Sequence, residues 1–259
     1  KNGKFWDATS CNTDHRDWDT ADVTIMESMS RGATAVNADI SGWDTGSVTE
    51  LVNMFRGATA FNSDISAWDT SNATAMDHMF DGASAFNQNL AGWNISHLAV
   101  DGDLGNYGAE AMLNGTALST ANYNALLVGW AGQATIPSGI SLGVGAVTYS
   151  AGPPAAARSV LTDSPNNWDV GDGGLSQVPN APPNVAGVGG NNKITVTWDA
   201  AAAPSGDAVT SYTATASPGG GTCTTPNGST LTCQITGLTN TQAYTVTVVA
   251  TNGVGAGLT

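Results

Sequence analysis

Three groups of side chains in this sequence have the types and spacing to do chemistry. Asp101-Gly102-Asp103-Leu104-Gly105-Asn106 sets oxygens at alternate positions, the spacing of a calcium loop. It lacks an oxygen side chain at the fifth position and a Glu at the twelfth, so it fails the EF-hand pattern, and an ordinary Asp/Gly turn outweighs calcium at Asp101 and Asp103. Cys223 and Cys233 flank the turn residues Pro226-Asn227-Gly228-Ser229 on strands expected to be neighbours, which predicts a disulfide and an oxidising, extracellular setting; Cys11 has no partner in view. His15, His78 and His97 are scattered, none at a repeating position, and each reads as a surface residue.

No HExxH, GxSxG, Walker loop or CxxC pair is present, so the main enzyme and zinc signatures are missing. A glycosidase pair needs one carboxyl whose pKa an apolar pocket raises. The acids here are 18 Asp and three Glu, and no Asp lies in an evidently apolar stretch. The reading is therefore a protein without catalytic residues, resident cofactor or metal.

Charge narrows the partners. Seven basic residues against 21 acidic give a net charge of -14, which argues against nucleic acid and against anionic lipid, since both recruit Lys and Arg. No apolar run approaches the length of a membrane span, so no membrane insertion is expected of this segment. The hydrophobic fraction of 41% suffices for a packed core. Solubility rests on Asp, Asn, Ser, Thr and Gly, the residues of turns, caps and sheet surfaces, so long charged helices are not expected.

The elements that hold these residues are announced by an internal repeat. Trp18, Trp43, Trp68 and Trp93 stand 25 residues apart, and the same frame carries Asn37, Asn62 and Asn87; Gly32, Gly57 and Gly82; and Met29, Met54 and Met79. A unit this short cannot bury its own apolar face, so the units are expected to stack as a solenoid, with identical residues in columns. Within one unit, Val48, Leu51, Met54 and Phe55 have helical spacing, with Gly57 as a stop, and Phe61 to Trp68 suits a short strand. The Trp, Phe and Met columns read as core, the Asn column as an internal ladder. Asp19, Asp44 and Asp69, followed by Asn94, read as caps on neighbouring N–H groups more readily than as cation ligands.

Trp68 to Trp93, WDTSNATAMDHMFDGASAFNQNLAGW, and its two preceding copies resemble the 25-residue repeat of the BspA-like leucine-rich-repeat bacterial surface proteins, over roughly residues 17–98. Ser30 and Val36 depart from that pattern in the first unit and Ala73 in the third. The segment 99–178 loses the period but keeps a helix signal, with Ser119 and Thr120 as caps and Tyr123, Leu126, Leu127 and Trp130 on one face, and a second helix opened by Pro153-Pro154. It resembles the C-terminal cap that follows such repeats.

After Pro179-Asn180-Ala181-Pro182-Pro183 the pattern changes to period two. ITVTW from Ile194, SYTATA from Ser211, LTCQI from Leu231 and YTVTVVA from Tyr244 are strands of an antiparallel sandwich. With Trp198 and a tyrosine corner from Leu238 to Tyr244, residues 179–259 resemble a fibronectin type III module, one that looks short of its last strand. Residues 1–175 carry a net charge of -13 and the remainder -1.

The expected architecture is thus a repeat solenoid of short helix/strand coils, α+β and leucine-rich-repeat-like, with a C-terminal cap over 1–178, then an all-β immunoglobulin-like sandwich over 179–259. The resemblance implies a non-catalytic extracellular protein, on the bacterial surface or secreted. It would adhere through the solenoid to a host or environmental protein or glycan, with the module as spacer. The alternative is a structural segment of a filament, stalk or surface layer, whose partners are copies of itself.

Overall fold

A computed structural model describes residues 18–100, 108–204 and 207–259. The chain divides into two compact units, Lys1–Gly174 and Leu175–Thr259. The division falls a few residues before the Pro-rich stretch. Ser176 is buried, and the carbonyl of Gln177 accepts from the Asn252 side chain at 2.8 Å, so the residues just before the prolines are already held by the second unit.

The first unit corrects the expected architecture. Residues 18–98 contain neither helix nor strand: turns run from Val52 to Gly57, Phe61 to Trp68 forms no ladder, and only isolated parallel bridges join Ile25 to Glu50 and Glu50 to Ala75. Only two helices occur among the described residues, both after the repeats, and the sheets are small. The leucine-rich-repeat-like solenoid of helix/strand coils is therefore not what this sequence builds.

The reason lies in where the amides go. A helix needs each N–H to reach back four residues. Here Asn53, Phe55 and Gly57 donate instead to the carbonyls of Asp77, Met79 and Asp81 in the next repeat, at 2.9, 2.8 and 2.8 Å. The intervening Met54, Arg56 and Ala58 donate three residues back, to Leu51, Asn53 and Phe55. Asn53, with φ of 57°, and Gly57, with φ of 71°, take left-handed conformations that break any helical run; Ser28 and His78 repeat the first and Gly32 and Gly82 the second. The apolar spacing that reads as helix is met by successive tight turns.

Identical side chains do form columns. The Trp18, Trp43, Trp68 and Trp93 rings stack 6.0, 6.1 and 6.4 Å apart and within 8° of parallel. The Trp68 and Trp93 indoles donate to the carbonyls of Ile40 and Ile65 in the preceding repeat, so the indole N–H is satisfied inside an apolar core. Phe61 is fully buried and stacks on Phe55 at 3.8 Å and Phe86 at 6.0 Å.

After the repeats the sequence period fails, yet the same interactions continue. Gly82 donates to Asn114, and β1 (Gly108–Ala109), β2 (Ser141–Gly143) and β3 (Asp169–Gly171) pair in parallel in that order. Helix α1 (Thr120–Ala131) is capped by Ser119 and buries Tyr123, Leu126, Leu127 and Trp130, the face read from the sequence. Its Trp130 indole donates to Leu90, as Trp93 does to Ile65 one repeat earlier. Helix α2 (Pro153–Thr162) has proline in its first turn, where the missing N–H costs nothing.

The second unit is the expected antiparallel sandwich. One sheet orders β4 (Ala186–Gly190), β5 (Lys193–Thr197) and β8 (Thr232–Thr236); the other orders β7 (Gly221–Thr224), β6 (Ser211–Ser217) and β9 (Thr245–Thr251). Val196, Trp198, Tyr212, Ala214, Ile235 and Val248 fill the space between them. Strands β4 and β7 escape a period-two reading because β4 is AGVGG and β7 is four residues long. Thr239 N–H donates to the Tyr244 hydroxyl at 3.0 Å, the tyrosine corner.

Replacing Phe61 by Ala removes a fully buried ring from the middle of the aromatic column. A loss of about 3–5 kcal/mol is expected for such a truncation, read as a lower urea midpoint at unchanged slope. A loss under about 1 kcal/mol would mean the column is not a close-packed core.

Candidate functional site

The residues selected for chemistry fare differently. Asp101, Asp103, Cys11 and His15 lie outside the described residues. Among the described residues no group of three or more His, Cys, Asp or Glu is placed to hold a metal. His97 is exposed, and its Nδ1 lies 3.1 Å from the Ser96 hydroxyl. His78 sits 3.3 Å from Asp81, which also pairs with Arg56 at 3.1 Å.

The aspartate column closes turns. Asp19, Asp44 and Asp69 each accept the N–H two residues on, at 3.3, 3.1 and 2.9 Å, and Asn94 does the same at 2.9 Å. A second column, Asp39, Asp64 and Asn89, repeats the device at 3.1, 3.0 and 3.0 Å. The backbone and hydroxyl of Ser66 hold the Asp64 carboxyl below its ordinary value of 3.8, and those of Ser71 do so for Asp69. Like charges one repeat apart are thus offset locally, by hydrogen bonds to the charged form.

The asparagine column is a ladder. Asn37 accepts the N–H of Asn62, Asn62 that of Asn87, and Asn87 that of Ser119, each at 2.8 Å. Gln88 and Asn122 add side-chain bonds to the preceding Asn. With the Trp column these residues are scaffold. Other positions change from repeat to repeat: Ile25, Glu27 and Arg31 are exposed, their counterparts Glu50, Val52 and Arg56 are half-buried, and in the third repeat Ala75 and Asp77 are buried and Asp81 is half-buried; Ser47, Asn72 and His97, elsewhere on the surface, differ as well. These positions carry both described arginines of the repeats.

A polar cluster that sequence spacing does not reveal joins the segments after the repeats. Arg158 bonds Asp172 through Nε at 2.6 Å and Nη2 at 3.3 Å, and lies 5.2 Å over the Tyr149 ring. The Tyr123 hydroxyl donates to Asp172 at 2.7 Å. The Asp172 side chain is only 2% exposed, so Arg158 and Tyr123 are what make its burial tolerable. Burial, then the bond to Asp172, pushes the Tyr123 phenol above its ordinary value. The cluster ties both helices to the segment of β3 as a latch. Members 49 and 14 residues apart leave no motif to find.

In the second unit Cys223 and Cys233 form the disulfide expected from their spacing. They are not on hydrogen-bonded neighbours, however: β7 and β8 belong to different sheets, so the bond ties the two layers together. At one end of that unit a cleft of about 330 Å3 opens between the glycines of β4, the loop Leu238–Gln242 and Val246.

With this geometry in view, comparison with known proteins is informative at the level of regions. Residues 2–110 match a family model described as Mycoplasma protein of unknown function, DUF285, and residues 180–259 match the fibronectin type III domain. The chain carries a DUF285 region followed by a fibronectin type III domain. Both are consistent with a surface protein, and a fibronectin type III domain with a disulfide fits an extracellular one. Among the described residues no helix is long and apolar enough to cross a membrane.

No curated protein matches the chain. Likeness to solved structures is weak. "Myokine structure" is 22% identical, covering 31% of this chain and 87% of that one, with a TM-score of 0.27. "Titin kinase and its flanking domains" is 19% identical over 32% of this chain and 16% of that one, at 0.28. The Clostridium perfringens spore cortex lytic enzyme SleM is 19% identical over 30% and 25%, at 0.26.

Two pH dependences follow. A carboxyl held low in the fold stabilises it above 3.8 and loses that contribution as pH falls through and below 3.8. Because Asn89 and Asn94 already close the same turns uncharged, the double variant Asp64→Asn, Asp69→Asn is expected to fold and to show a shallower acid limb in urea midpoints; an unchanged limb would show that these caps do not titrate with folding. Tyr123 has the opposite sense: raised above 10.0, it contributes stability that is present below pH 10 and lost above it. Tyr123→Phe should flatten the alkaline limb, whereas Asp172→Ala, which strands Arg158, should cost about 3–5 kcal/mol at neutral pH.

Proposed function

We propose that this is a non-catalytic bacterial surface protein that adheres through the repeat unit, with the fibronectin type III domain as a near-neutral spacer. The observation that carries the reading is the division of labour among exposed positions. Asn, Asp, Ser and Thr at fixed positions are spent on bonds between and within repeats, while charge and shape change at other positions, Glu27, Arg31, Arg56 and Asp81 among them. A rigid, repeat-built scaffold that varies such positions has the form of a recognition surface. The partner is a host or environmental protein or glycan, met outside the cell.

Support for the site of contact comes from the cost of changing it. Arg56 and Asp81 are 39% and 26% exposed, and an ion pair of that exposure contributes about 0–1 kcal/mol, so altering it spares the fold. The test is saturable binding of the labelled full chain to bacterial cells and to an array of glycans and matrix proteins. The variant Glu27→Lys, Arg56→Glu is expected to lose about tenfold or more in affinity at unchanged melting temperature. Thr59→Ala with Ser84→Ala, on the uniform face, should bind as the parent does. Equal binding by both variants would remove these positions from the reading. Ordered self-assembly with no saturable binding would replace adhesion by a structural role.

A further inference from the structure

Three Asn-Gly pairs lie among the described residues: Asn114-Gly115, Asn227-Gly228 and Asn252-Gly253. The dipeptide carries a reaction of its own, because the glycine nitrogen, unhindered by a Cβ, can attack the side-chain carboxamide before it. Two things govern that step: whether donors hold the attacked oxygen as it gains charge, and whether the departing amide is free to leave.

The pairs differ on both counts. Asn227 Oδ1 accepts four bonds, from the N–H and hydroxyl of Ser229 at 3.0 and 2.8 Å and from those of Thr230 at 3.0 and 2.9 Å. Asn227 is exposed, and its Nδ2 bonds no described residue. Asn252 also has donors, the N–H groups of Val254 and Gly255 at 3.0 and 3.2 Å, but it is buried and its Nδ2 is tied to the Gln177 carbonyl at 2.8 Å. Asn114 is half-buried, and its Oδ1 accepts from no described residue.

The turn that carries Asn227 is fixed from outside. The Cys223–Cys233 bond closes its base. The Thr225 hydroxyl donates to the Asn227 carbonyl at 2.8 Å and accepts from Tyr212 N–H at 2.9 Å. A Cβ on Gly228 would overlap the Val209 carbonyl, so only glycine fits there. The Gly228 N–H donates to no described residue, so nothing competes for its nitrogen. Bonds from Oδ1 to the two residues beyond Gly228 fold the carboxamide back over that nitrogen.

We propose that Asn227 is a site of self-modification, activated by the four donors on its Oδ1. The Gly228 nitrogen gives its proton to water or hydroxide and bonds to Asn227 Cγ. The Ser229 and Thr230 donors hold the resulting oxyanion. The Cγ–Nδ2 bond then breaks, and Nδ2 takes up a proton and leaves as ammonia. Water adds to the five-membered succinimide and opens one of its two carbonyl–nitrogen bonds, leaving aspartate or its β-linked isomer at position 227. The sum is one water consumed and one ammonia released, with no other reagent. In the aspartate product the same donors favour the ionised carboxylate, so the second unit gains a negative charge as it ages.

The full chain is held at mildly alkaline pH, folded and in guanidinium, and the three sites are followed by mass spectrometry of proteolytic peptides. In the folded chain position 227 is expected to convert while positions 114 and 252 do not. Ser229→Ala with Thr230→Val removes the two hydroxyls and keeps both N–H bonds, and should slow conversion about threefold or more. In guanidinium the donors are lost, and positions 227 and 114 should convert at the same rate, slower than 227 in the fold. Equal conversion of 227 and 114 in the folded chain would overturn the proposal. So would an unchanged rate in the variant, or conversion of 227 that is as fast in guanidinium as in the fold. None of these outcomes bears on adhesion by the repeats.

Discussion

The first unit depends on how each repeat divides its backbone hydrogen bonds. Every second amide from Met26 to Gly32 reaches the repeat that follows, and the amides between close turns within their own segment. The two sets are incompatible with a helix and too interrupted for a strand, yet together they satisfy the backbone of a buried segment. They also fix the distance between repeats. With that spacing set, Trp must stack on Trp and Phe on Phe, and each column becomes one continuous core that a lone repeat of 25 residues could not make.

The cost of this arrangement is that the polar scaffold positions are repeated beside their copies, and a column of aspartates is a column of like charges. The structure resolves this locally. Each Asp closes a turn two residues on, the serine hydroxyls beside Asp39, Asp64 and Asp69 add a second bond, and at Asp64 and Asp69 these bonds favour the ionised carboxyl. The same backbone bonds are made by Asn at the last repeat, where charge is dispensable.

The segment after the repeats shows how an aperiodic sequence takes over periodic bonding. Asn114 accepts from Gly82 where Asp81 accepts from Gly57, and Trp130 on a helix reaches Leu90 where Trp93 on a turn reaches Ile65. Arg158, Asp172 and Tyr123 then lock the two helices to the final strand of the small parallel sheet. In the sandwich the disulfide plays the corresponding part by joining the two layers.

What the sequence by itself determined is what depends on composition and on exact spacing: the 25-residue stack with its Trp and Asn columns, the α1 face from Tyr123 to Trp130, four strands of the sandwich, and the Cys223–Cys233 pair. These survive because period and side-chain type act through neighbours close in sequence or at one fixed offset. Only the tertiary structure decided that Val48 to Phe55 forms no helix, since i, i+3 apolar spacing suits turns and helix alike, and the choice falls to amides bonding the next repeat. It alone placed Cys223 and Cys233 across two sheets and gathered Tyr123, Arg158 and Asp172. Those depend on which distant segments meet, and no spacing along the chain encodes that.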